Sequence, residues 1–298
     1  MSKKKLSSKR KTGGAMAMNA SRWRVLLLIA LPTFLLYVYI CIVPMISSLA
    51  NSIYDWNGYG PKTFIGLDNY INIFKDGAFW DAFWNDILIV FWKEVIIVTL
   101  AVLFAVSMTT AKLRKKETSV FRFLFYIPNI LSVILISMVW KYFFESLDTL
   151  IETENGLWVD HPMPLIIFIA SWCGIGYYMI VLISAIKNIP KEIYEAADMD
   201  GASQFRQLWS ITLPEIMPQI RYVIVMVLSG SLAVNMNLIL PLTGGQNHTM
   251  VMGLYVYTYG TGQLNMVGYA YAAAVVLMVI SFVLSLTVNM YLKRKEAK

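Results

Sequence analysis

Six long apolar runs, near residues 25 to 50, 87 to 109, 120 to 143, 164 to 186, 220 to 242 and 269 to 292, organise the chain. Each reaches the roughly 20 residues that an α-helix needs to cross about 30 Å of hydrocarbon. The pattern predicts an all-α polytopic membrane protein with six transmembrane helices. The first run, "VLLLIALPTFLLYVYICIVP", is followed by a small-residue stretch, Ser48-Leu49-Ala50, that looks like a cleavage site. It nevertheless exceeds the roughly 7 to 15 apolar residues of a secretory signal, and five more runs follow it, so it is read as a span.

Between the fourth and fifth runs, residues 187 to 219 break the apolar pattern with a polar, alanine-rich stretch, "EAADMDGASQFRQLWSITLP". Pro190 suits the first turn of a helix. "KEIYEAADM" continues with good helix formers, and Gly201 supplies a stop where the chain needs a positive φ. Ser203 can cap a second short helix carrying Phe205, Leu208 and Trp209 as an apolar stripe. Pro214 and Pro218 are then expected to redirect the chain into span five. The loop is thus expected to be helix, turn, helix. Helices this short are marginal alone, so either the protein's own spans or a partner must bury the stripe.

Composition agrees with the membrane reading: 58% of residues are hydrophobic and 14% charged, against about 25% charged in soluble domains. The charges set an orientation. Lys3, Lys4, Lys5, Lys9, Arg10, Lys11, Arg22 and Arg24 precede the first span. Lys112, Arg114, Lys115, Lys116 and Arg122 follow the second, and Lys293, Arg294, Lys295 and Lys298 end the chain. The opposite connections are acidic, with Asp55, Asp68, Asp76, Asp81 and Asp86 in the first and Glu145, Asp148, Glu152, Glu154 and Asp160 in the third. Both termini are therefore expected to be cytoplasmic, and the loop 187–219 with them. The net charge of +7 is an orientation signal and an attraction to anionic lipid rather than a nucleic-acid footprint. The expected organisation is a basic tail over 1–24, a six-span domain over 25–292 and a cytoplasmic end over 293–298.

Enzymatic chemistry finds little purchase here. Cys41 and Cys173 fall within spans, which leaves no disulfide framework or zinc cluster. His161 and His248 lie in or beside outer connections with no nucleophile arranged around them. "GYGPKT", from Gly58 to Thr63, has Pro61 where a phosphate loop needs glycine. No metal, cofactor or nucleotide site is expected in this chain. Ionisable residues in spans mark ion-coupled transporters, and Lys93 and Glu94 in span two are the candidates recognised, with an open role. In span five, Ser231 and Asn235 share a helix face, whereas Asn237 is turned roughly 200° from Asn235.

Glu195-Ala196-Ala197, with Gly201 four residues beyond Ala197 and Ile211-Thr212-Leu213-Pro214 after nine more, resembles the signature of permease subunits of binding-protein-dependent ABC importers. "FIGLDNYINIF", "FRFLFYIPNILS", "IPKEIYEAADMDGAS" and "LTGGQNHT" resemble its carbohydrate-uptake (maltose and multiple-sugar) branch and extend the likeness over nearly the whole chain. The resemblance implies a multi-pass subunit of a bacterial inner membrane that is not itself an enzyme. Its implied partners are a second permease subunit, a cytoplasmic ATPase dimer that binds the ATP, and an extracellular solute-binding protein delivering a carbohydrate, expected to be an oligosaccharide. The signature loop is implied to be the coupling helix. Glu195, Ala196, Ala197, Asp198, Asp200, Gly201, Phe205, Leu213 and Pro214 are its candidate ATPase contacts. Tyr177, Ser231 and Asn235 are the implied sugar contacts, with Trp172 and Asn237 as further candidates; amides match sugar hydroxyls and aromatic rings cover sugar C–H faces. The alternatives are an ion-coupled secondary transporter and an ABC permease for a glycerol-phosphate-type solute. No cluster of basic residues in the spans favours the latter.

Overall fold

The computed structural model describes residues 20–110, 115–151, 156, 160–261 and 264–296. The lysines and the arginine of residues 1–19, with Lys112, Arg114, Glu152, Glu154 and Lys298, lie outside the described residues. The chain divides into two units, Met1–Ala50 and Asn51–Lys298. In the first, α1 (Ala20–Tyr37) passes through a π-helical turn, Val38–Ile42, into α2 (Val43–Asn51). Its large apolar side chains from Leu28 onward are mostly exposed, as a lipid-facing helix requires. Thr33 and Ser48 each donate to a carbonyl four residues back, so neither hydroxyl is left unpaired in hydrocarbon.

The second unit begins with a two-stranded antiparallel hairpin, β1 (Tyr54–Asp55) and β2 (Thr63–Phe64), in which Tyr54 faces Phe64. The helices α3 (Asp68–Lys75), α4 (Gly77–Thr110), α5 (Lys115–Ile130), α6 (Val133–Ile151) and α7 (Pro162–Lys187) follow. Next come α8 (Lys191–Met199), α9 (Gln204–Gln207), α10 (Leu213–Leu242), α11 (Met252–Thr261) and α12 (Val267–Glu296). The fold is all-α. Among the described residues it has 5 helices long and apolar enough to cross a membrane, or 6 when a bent pair is taken as one span.

That pair, α5 and α6, corrects the expectation of a single helix over 120 to 143, because the two halves meet at 97°. Pro128 lies in the last turn of α5, where its missing N–H leaves the Leu124 carbonyl without its i+4 donor and weakens the end of the helix. The ladder restarts where Ile136 N–H donates to Ser132 O at 3.0 Å. Span two is also longer than expected. Helix α4 begins at Gly77 rather than near 87, which draws Asp81 and Asp86 out of the connection assigned to them and into the helix. The expected redirection at Pro214 and Pro218 does not occur either. A π-helical turn, Leu208–Thr212, joins α9 to α10, and Leu213 N–H donates to Leu208 O five residues back. One unbroken helical path therefore runs from Gln204 to Leu242.

The core lies where α4, α7 and α10 meet: Ile97, Ala101 and Ala105 pack on Met179, Leu182 and Ile183 and on Ile216 and Val223. Small residues one turn apart let membrane helices approach closely. At Gly176 the approach is absolute, because a Cβ there would stand 1.9 Å from Phe125 O of α5. A second apolar cluster joins α3, α4, α11 and α12. There Asp76 accepts from Tyr255 at 2.6 Å and from Tyr259 at 3.2 Å. Burial, reinforced by the bond to Asp76, raises the Tyr255 hydroxyl far above the usual phenol range.

Candidate functional site

Two regions gather the polar and signature residues. The first is the tip formed by α8 and residues 201–212. Pro190 is the N-cap residue of α8, one position before the expected first turn. At the other end Gly201 N–H donates to Asp198 O at 3.0 Å and Ala202 N–H to Ala197 O at 2.9 Å, the paired bonds of a Schellman cap. Gly201 has φ +73°, which glycine adopts without strain. Ser203 Oγ accepts from Arg206 N–H and caps α9. Gln207 then ties the turn together, donating to Asp198 Oδ1 at 2.5 Å and Ala202 O at 3.1 Å. Tyr194 and Thr212 share a hydroxyl bond of 2.9 Å across the same bend.

This scaffold leaves its apolar residues uncovered. Met199 is 89% exposed, Phe205 71% and Trp209 60%; Leu208 is half-buried. Glu195, Ala196, Asp198 and Asp200 are exposed beside them. A notch of about 220 Å³ is lined by Ala197, Asp200, Ala202 and Arg206. Packing on the protein's own spans, one of the two readings of the stripe, does not cover Phe205 or Trp209. Leu213 and Pro214 lie at the start of α10 and not on the tip.

The second region is a cavity of about 300 Å³ between α4, α5, α7 and α10. Tyr177, Ser231 and Asn235 all line it, together with Lys93, Asn129 and Tyr178. Trp172 instead lines a separate apolar cavity with Trp92, Phe125 and Phe168 and stacks edge-on against Trp140 at 5.7 Å. Asn237 is exposed on another face of α10. Asn235 is buried and donates through Nδ2 to Asp86 Oδ1 at 2.7 Å. Met252 N–H donates to the other oxygen, Asp86 Oδ2, at 2.8 Å. One amide donor of Asn235 is thus committed to an interhelical bond, while its carbonyl oxygen can still accept from a hydroxyl in the cavity. Asn129 Nδ2 donates to Cys173 O at 3.2 Å, and the hydroxyl of Ser231 to Val227 O.

Lys93 and Glu94 diverge as neighbours on a helix must, by about 100°. Lys93 lines the mixed polar and apolar cavity with Ile97, one turn on. Glu94 points into an apolar cleft against Ile224, Leu228, Leu284 and Val288. Both its oxygens are buried with no hydrogen-bond partner among the described residues. The sequence pattern disclosed neither the division of this pair between two compartments nor the role of Asp86. Helical periodicity from Lys93 back two turns puts Asp86 on the same face, which was the available signal.

The described residues thus combine a bent span, a cavity among the long helices and a capped, exposed tip. Residues 97–296 match the family described as "Binding-protein-dependent transport system inner membrane component", and the chain belongs to that family. Among curated relatives, the multiple sugar-binding transport system permease protein MsmF of Streptococcus mutans is 31% identical over 81% of this chain and 86% of its own. The diacetylchitobiose uptake system permease protein NgcF of Streptomyces coelicolor is 27% identical over 83% and 76% respectively. A chain from the crystal structure of a bacterial ABC transporter that imports the acidic polysaccharide alginate superposes with a TM-score of 0.80 at 23% identity. The match covers 92% of this chain and 96% of that one, and it shows the fold.

Proposed function

We propose that the chain is the non-hydrolysing membrane subunit of an ATP-driven carbohydrate importer. A second permease subunit completes the pore, an ATPase dimer binds at the tip, and a solute-binding protein delivers the sugar from outside. In this reading residues 187–219 and both termini are cytoplasmic. The observation that carries it is the tip itself. A hydrogen-bonded scaffold presents Met199, Phe205 and Trp209 to solvent and continues without a break into α10, which lines the cavity. Exposed aromatics on a rigid scaffold are what a protein interface requires. They stand among Glu195, Asp198, Asp200 and Arg206, which do not sit in hydrocarbon. Sugar specificity is supported by the relatives' substrates and by the cavity, whose amides and hydroxyls suit sugar hydroxyls while Tyr177 and Tyr178 suit C–H faces.

The test is reconstitution of the chain with its partner permease, ATPase and binding protein in liposomes. ATP-dependent sugar accumulation is expected, and Gly201→Asp is expected to reduce ATPase retention several-fold, since it places a charged side chain at a left-handed position. Sugar accumulation driven by an ion gradient with this chain alone would replace the reading with that of a secondary transporter. Full ATPase retention by both Gly201→Asp and the double variant Phe205→Ala, Trp209→Ala would remove the tip from the interface.

A further inference from the structure

The carbohydrate reading leaves one cavity group unexplained: a lysine among two amides, a few hydroxyls and otherwise apolar side chains. We propose that Lys93 makes this cavity selective for a saccharide carrying a carboxylate, such as one containing a uronic acid residue. The proposal rests on the reading of the chain as a sugar permease. Three observations carry it. Lys93 lines the cavity on the same face of α4 as Ile97. Its sequence neighbour Glu94 faces a different, apolar cleft, so the adjacent carboxylate does not reach the cavity. Asp86, two turns back on Lys93's own side of the helix, has one oxygen bonded to Asn235 Nδ2 at 2.7 Å and the other to Met252 N–H at 2.8 Å.

An ammonium in a site walled by protein and lipid is stable only with a counter-charge or hydrogen-bond acceptors. Glu94 and Asp86 both act on Lys93 electrostatically, but no hydrogen bond or ion pair engages its ammonium among the described residues, so a solute carboxylate entering the cavity would supply the acceptors it lacks. Charge-assisted N–H···O bonds are roughly twice as strong as neutral ones, which gives the carboxylate an advantage over a hydroxyl at that point. The rest of the cavity suits the sugar ring. Asn235 Oδ1 accepts from a hydroxyl, and Tyr177 and Tyr178 border the site edge-to-face at 5.0 Å. At about 300 Å³ the cavity stands at the small end of the roughly 300–1,000 Å³ common for ligand sites, enough for one end of an oligosaccharide. One ammonium matches a monoanion, whereas a phosphate monoester carries close to two charges at neutral pH and calls for a second cation.

The experiment supplies the assembled importer in proteoliposomes, with its binding protein, with a mixed pool of neutral and uronate-bearing oligosaccharides from a plant-polysaccharide hydrolysate. The imported set is read by mass spectrometry. The wild-type set is expected to be enriched at least tenfold in uronate-bearing species. Lys93→Met is expected to abolish that enrichment and Lys93→Arg to keep it. The ratio is internal to each preparation, so it is insensitive to the amount of folded variant. Import of neutral species without preference, or an enrichment unmoved by Lys93→Met, overturns the inference and leaves the carbohydrate reading standing. ATP-driven import of neither class overturns both.

Discussion

Asp86 and Glu94 stand about two turns apart on α4 and meet opposite surroundings. Asp86 is fully buried, and both its oxygens are satisfied by groups 149 and 166 residues away in the sequence. Its carboxylate ties α4 to α10 and to the start of α11. Glu94 lies among Ile224, Leu228 and Leu284 with neither oxygen bonded among the described residues. Removing one member of a buried charged network leaves its partners stranded, whereas replacing an unpartnered buried charge by an apolar group relieves a desolvation penalty. The two carboxylates are equivalent in composition and opposite in consequence. One belongs to the architecture; the other contributes no bond to it.

The largest effect that tests this contrast is Asp86→Ala. It leaves the Asn235 amide and the Met252 N–H without an acceptor, at about 1–3 kcal/mol for each stranded donor, seen as a large fall in Tm in detergent. Asp86→Asn, which keeps one acceptor, is expected to fall less. An Asp86→Ala protein as stable as the wild type would break the comparison. Next in size, Asn235→Ala strips one bond from Asp86 and is expected to cost about 1–3 kcal/mol, measured by the same melting curve. Asn237→Ala, on the exposed face, should stay within about 0.5 kcal/mol of wild type. Equal losses at the two asparagines would mean that the bond to Asp86 carries no special weight. The smallest expected change is Glu94→Leu, with a Tm unchanged or raised; a fall comparable to that of Asp86→Ala would show that Glu94 has a partner the fold depends on.

The same division explains how much could be read from sequence. Spans and caps are local: apolar runs located the membrane helices, Gly201 supplied the positive φ, and Ser203 capped the following turn. The family signature in residues 195–214 also stood in the chain as contiguous residues. Asp86 was assigned to a loop because a charge interrupts a hydropathy window, and its compensation comes from Asn235 and Met252, which no local pattern reveals. The break between α5 and α6 had a local trace in Pro128, yet proline alone does not separate a kink from a 97° turn. Conversely, Pro214 and Pro218 looked like breaks and are not. The π-helical turn at Leu208–Thr212 shifts the hydrogen-bond register just ahead of Pro214, and the helix carries on past both prolines with a locally weakened ladder. In the cavity, Tyr177, Ser231 and Asn235 were named together, but that Lys93 and not Glu94 joins them depends on how α4 is rotated against α7 and α10.

The unbroken path from Gln204 to Leu242 is also a mechanical object. Between Trp209 and Asn235 it spans about 40 Å at 1.5 Å per residue, with no loop in which a displacement could be dissipated. Tyr194 clasps it through Thr212 at one end, and Asp86 grips it through Asn235 at the other. A rod so held acts as a lever: tilting it by about 6° moves the far end by roughly 4 Å over that length. Its most compliant stretch is near Pro214 and Pro218, where missing donors weaken the ladder, so bending concentrates close to the tip and the remainder swings as one piece. Force applied at Phe205 and Trp209 would reach the cavity wall as movement of Met226 and Ser231, with the clasp of Asn235 on Asp86 as the fulcrum.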